Sequence, residues 1–82
     1  MTDTEILARF AAIVEEVTRI RAADVTPEKS FTDDLDIDSL SMVEIATAAE
    51  DAFGVSIPDS AIADLHTVRA AVEFIAKAGV AA

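Results

Sequence analysis

The groups that could do chemistry are concentrated in one decapeptide, Phe31-Thr32-Asp33-Asp34-Leu35-Asp36-Ile37-Asp38-Ser39-Leu40, where four carboxylates lead into a hydroxyl. Acids before a helix are ordinary, since each gains ~0.3 to 1 kcal/mol from the macrodipole, and either Asp38 or Ser39 can cap. Capping needs fewer acids than this. Calcium is a second use, because Asp34, Asp36 and Asp38 stand at the first, third and fifth positions of an EF-hand-like loop. The pattern then fails: its sixth position requires Gly and holds Ser39, and its twelfth requires Glu and holds Ile45. No metal site is expected. A hydrolytic triad is a third use, but there is no G-x-S-x-G turn, and the single His66 lies between Leu65 and a candidate cap, Thr67. Ser39 alone is a poor nucleophile at neutral pH, and neighbouring carboxylates do not supply a poised base. The hydroxyl reads instead as an acceptor. An outside enzyme bringing its own base and metal would transfer a phosphoryl-linked group to it, leaving a phosphodiester where free backbone N–H groups point.

The elements that must position this segment are helical. Thr2 followed by Glu5 is a capping-box pattern, and Ile6, Leu7, Phe10, Ile13, Val14 and Val17 then share one face of a helix over about residues 4 to 18. A long connection follows, over about residues 20 to 38, with Pro27 disfavouring helix at Thr26 and with Phe31, Leu35 and Ile37 as pegs into a core. A second helix runs from Asp38 or Ser39 to Phe53, with Gly54 available to close it in the left-handed conformation. It buries Met42, Ile45, Ala46, Ala49 and Phe53 on one side and carries Leu40, Val43, Glu44, Thr47, Glu50 and Asp51 on the other. After the extended Val55-Ser56-Ile57-Pro58, Asp59 is the expected cap of a short third helix presenting Ile62 and Leu65 inward. Thr67 is the expected cap of a fourth, with Val68, Ala71, Val72 and Ile75 as its apolar stripe and Gly79 near its end. The expected fold is all-α, a four-helix bundle of three longer helices and one short one, in a single domain over residues 1–82.

Composition narrows the function classes. The 82 residues are 52% hydrophobic, enough for a small core. The net charge of -10 repels phosphate backbones and anionic lipids, which argues against nucleic acid and for basic protein partners. With no Cys there is no disulfide, thiolate metal site or cysteine nucleophile. No apolar run reaches the ~18 residues of a membrane span, and Met1-Thr2-Asp3-Thr4-Glu5 lacks the features of a signal peptide, so a cytoplasmic monomer is expected.

Taken together, Asp38-Ser39-Leu40 at the head of an acid-rich helix, the later Phe53-Gly54-Val55-Ser56-Ile57-Pro58-Asp59, and a final helix after Thr67-Val68 resemble an acyl carrier protein. The likeness covers nearly the whole chain. The stretch from Pro27 to Ile45 is most similar to carriers of actinobacterial type II fatty acid synthases, including those of mycolic acid elongation, which have a long C-terminal extension not seen in this sequence. The resemblance implies a non-enzymatic carrier of fatty acid synthesis, with a polyketide carrier as the alternative within the class. A calcium-responsive module and an adaptor without prosthetic group are the alternatives outside it.

The resemblance further implies that Ser39 bears a phosphopantetheine arm, taken from coenzyme A by a holo-carrier synthase (a phosphopantetheinyl transferase), with Asp38 and Leu40 flanking it. Acyl chains then ride as thioesters on the arm's thiol, whose reference pKa is near ~8.5, with no Cys to compete. Ketoacyl synthases, malonyl transferase, reductases and dehydratase would dock through basic patches on Asp36, Asp38, Leu40, Val43, Glu44, Thr47, Glu50 and Asp51. The cargo would be sheltered in a cleft lined by Met42, Ala46, Ala49, Ile57, Ile62, Leu65 and Ala71. The sequence departs from the common pattern at Thr47, where many carriers have Met, at Asp36, where Gly is frequent, and in a less acidic third helix.

Overall fold

The computed structural model describes residues 2–79, with Met1 and residues 80–82 outside the description. Four α-helices, α1 (Asp3–Thr18), α2 (Ser39–Phe53), α3 (Asp59–Asp64) and α4 (Val68–Lys77), are accompanied by a 3-10 turn at Ala22–Asp24. Among the described residues there are no strands, only an isolated antiparallel bridge between Ser30 and Thr67. The fold is an all-α bundle in which α1 packs on α2 and α4, while α3 packs on α2.

Local chemistry explains each start and stop. Thr2 and Glu5 form the expected capping box, the Glu5 N–H donating to Thr2 Oγ1 at 3.2 Å and the Thr2 N–H to Glu5 Oε1 at 3.3 Å. α2 closes on Gly54, whose φ of 67° is the left-handed conformation. α3 departs from expectation: Pro58, not Asp59, holds the N-cap position. Its extended backbone presents a carbonyl that accepts from Ala61 and Ile62, and Asp59 becomes the first helical residue, still favoured by the dipole.

α1, α2 and α4 bury residues in one core, whereas α3 has no fully buried residue and packs the partly buried Ala61 and Ile62 against it. Ile6, Phe10 and Val14 of α1 meet Ile45, Ala49 and Phe53 of α2 and Val68, Ala71 and Ile75 of α4 within it. The long connection supplies Val25, Phe31, Leu35 and Ile37, all buried, and the Phe31 ring stands edge-on to Phe10 with centroids 5.9 Å apart. The connection is also laced to α4. Phe31 donates its N–H to the His66 carbonyl, Val68 to Lys29 and Arg69 to Pro27, each at 3.0 Å.

Candidate functional site

Two helix starts in this molecule are built differently. At α4, the first four N–H groups all find acceptors: Val68 and Arg69 on the carbonyls of the connection, Ala70 on Thr67 Oγ1, and Ala71 on the Thr67 carbonyl. At α2, Asp38 takes the N-cap position, its Oδ1 accepting from the Ser41 N–H at 2.8 Å and its carbonyl from Met42 at 3.0 Å. The N–H groups of Ser39 and Leu40 lie in the turn where helix geometry provides no intrahelical acceptor. Because Asp38 is the cap, Ser39 is the first helical residue, exposed and released from capping duty.

The acids before it serve local structure. The Asp38 carboxyl is held below the usual carboxylate range, first by the Ser41 backbone N–H and then by the Ser41 hydroxyl. Asp34 folds back to accept the Ser30 N–H at 2.7 Å, while Ser30 Oγ accepts from Asp33 and Asp34. Asp36 sits at φ 54°, a left-handed residue where a side chain is strained. The carboxylates of Asp34 and Asp38 are thus each engaged by a neighbouring backbone N–H, and among the described residues no three of Asp, Glu, His or Cys gather as metal ligands would.

From Ser39 an open groove of about 380 Å³ runs between α2 and α3, past Met42 and Val43 on one side and Asp59, Ile62 and Ala63 on the other. Thr32 and His66 also border it. Behind it lies a small apolar space of about 20 Å³, roughly room for one water. Six of the seven expected cleft residues line that space: Met42, Ala46, Ile57, Ile62, Leu65 and Ala71. Ala49 does not; one turn further along α2, it is wholly enclosed in the core. Phe10, Ile45 and Ile75 line it as well. Sequence reading placed these three in the core without the cavity, because the wall joins α1, α2 and α4, which are far apart along the chain.

On the outer face of α2, Leu40 is 68% and Val43 44% exposed, unusual for large apolar side chains. Glu44, Thr47 and Asp51 are exposed with them, as is Asp36 before the helix. Glu50 is not part of this face. It is half-buried, and its Oε2 accepts the Ile57 N–H at 2.7 Å, tying the extended segment back to α2. The helical wheel assigned it outward because a wheel cannot register a segment folding back over one edge.

The family described as "Phosphopantetheine attachment site" matches residues 8–75. The acyl carrier protein from Thermobifida fusca is 58% identical over 93% of this chain and 96% of its own length. The chain belongs to the acyl carrier protein family. This carrier is also 60% identical to the meromycolate extension acyl carrier protein of Mycolicibacterium smegmatis, over 93% of its own length and 77% of that protein. Its fold matches the acyl carrier protein from Enterococcus faecalis with a TM-score of 0.78 and 37% identity, over 96% of this chain and 100% of that one. It is a carrier of acyl chains on phosphopantetheine and not itself an enzyme. The start of α2 fits such a group: an exposed hydroxyl, two N–H groups without intrahelical acceptors, and an open groove alongside. The bound arm supplies a thiol to which acyl groups attach as thioesters. None of the described helices is long and apolar enough to cross a membrane.

Proposed function

We propose that Ser39 carries the phosphopantetheine arm and that this carrier serves type II fatty acid synthesis in the cytoplasm, as a monomer with residues 1–82 acting as one domain. The observation that carries this reading is the division of labour at the start of α2, where Asp38 does the capping and leaves the neighbouring hydroxyl exposed beside the groove. The relatives named acyl carrier protein support the pathway. Elongation of meromycolate chains is a second reading, supported by the name of the Mycolicibacterium smegmatis relative.

The arm's cargo enters the apolar space behind Met42, Ile62 and Leu65 and is released to each enzyme in turn. Asp36, Asp38, Glu44 and Asp51 steer basic surfaces of the holo-carrier synthase and the chain-building enzymes, within a Debye length of ~8 Å at physiological salt. Leu40, Val43 and Thr47 supply the contact. Such a small and largely electrostatic interface suits rapid exchange among partners.

The test is incubation with coenzyme A, magnesium and a phosphopantetheinyl transferase, read by intact mass. Wild type gains the arm and Ser39→Ala does not; an unmodified wild type, or a modified Ser39→Ala, overturns the assignment. Acyl groups recovered from the native producer distinguish ordinary fatty chains from meromycolate-length ones. At low salt, Glu44→Lys with Asp51→Lys slows loading several-fold; equal rates remove the steering surface.

A further inference from the structure

The groove beside Ser39 and the apolar space behind it share three lining residues, Met42, Ile62 and Leu65. Ser39 and Val43 face only the groove, whereas Ala46 and Ala71 face only the inner space. The three shared side chains are therefore the partition between the wide groove of about 380 Å³ and the small apolar space of about 20 Å³. They are not equally movable. Ile62 is β-branched and stiff at its first torsion, and Leu65 closes α3 at its C-terminal end. Met42 is unbranched, has three rotatable bonds and stands half-buried one turn beyond Ser39 on the same side of α2. The groove gives it somewhere to go, and the small Ala46 and Ala71 behind it leave room once it has gone.

We propose that Met42 is the gate that sets the acyl length at which cargo passes from the groove into the interior, a role that rests on the carrier reading above. Swinging Met42 aside has a fixed cost, while each methylene transferred to the apolar space adds a similar favourable increment. A fixed cost set against an incremental gain produces a threshold in chain length. The size and stiffness of the residue at this position set that threshold.

The experiment loads the full-length holo-protein with a series of saturated chains from acetyl to dodecanoyl, in wild type, Met42→Ala and Met42→Phe. The methyl resonances of Ala46 and Ala71 are followed, since both line the space together with the Phe10 ring. Wild type shows an onset of methyl shifts at one chain length. Met42→Ala moves that onset about two methylenes shorter, and Met42→Phe moves it longer or abolishes the response. The same onset in all three proteins overturns the gate. A merely structural role would change the melting temperature without moving the onset. Should Met42→Ala fail to fold, Met42→Phe decides alone, since the open groove leaves space for its ring. Folded proteins that never acquire the acyl-phosphopantetheine mass would overturn the carrier reading instead, a different failure from loaded proteins with one shared onset.

Discussion

The two sides of this bundle are made of the same residue types but held to different standards. Where α1 meets α4, Ile6, Val14 and Val68 are 0% exposed and line neither cavity. Where α2 meets α3, Met42, Ile62 and Leu65 are only half-buried and border the two cavities, and α3 buries no residue. The closed side holds the fold. The open side is less tightly packed, and its half-buried wall is the part of the core most easily displaced. A protein this small cannot spread that looser packing over its whole core, so the yielding elements are confined to one short helix and one side of α2.

One substitution made on both sides is the hardest test of that contrast. Ile6→Ala lowers stability by about 2 to 5 kcal/mol, whereas Ile62→Ala costs less than about 1.5 kcal/mol, because water already reaches its site. Similar losses in urea titration would mean that both sides are equally rigid. Next in size, Glu50→Ala strips the Ile57 N–H of its acceptor and costs about 1 to 3 kcal/mol, while the neighbouring, exposed Asp51→Ala is close to neutral. If the two acids behave alike, the segment joining α2 to α3 is not tied down as the geometry says.

Smaller effects probe the approach to Ser39. Asp36→Gly relieves the left-handed strain at φ 54° and raises stability by less than about 1 kcal/mol, after the greater freedom of Gly in the unfolded chain is counted. A loss of stability would show that Asp36 is held by more than its backbone. The smallest effect is a pH dependence. The carboxyl of Asp38 has a folded pKa below its ordinary value, so its added contribution is present above the ordinary Asp range and is lost as pH falls through the lowered value. Asp38→Asn keeps the capping acceptor without the charge. The stability difference between wild type and this variant shrinks on acidification; a difference constant with pH would assign the cap no charge component.

Much of the scaffold follows from information local to the chain. The capping box at Thr2, the Gly54 stop, the Thr67 cap and the apolar stripes of α1, α2 and α4 each depend on residues within about two helical turns of one another, a range over which spacing alone specifies geometry. The start of α2 at the end of the acid-rich approach was legible for the same reason, since the acids, the capping candidates and the first apolar positions are contiguous. The choice of Asp38 over Ser39 as cap was not, because both residue types compete equally until the backbone is placed.

Only the tertiary structure decided what depends on distant segments meeting. It turned Glu50 inward onto Ile57, laced the connection to α4 through Lys29 and Pro27, and moved the α3 cap to Pro58. It left Ala49 out of the cavity wall and brought Phe10 and Ile75 into it. Periodicity reports which way a side chain leaves its own helix axis. Whether it meets a neighbouring segment, water or a void there depends on how the helices pack together, and that is what makes Met42 a partition and not merely one more core residue.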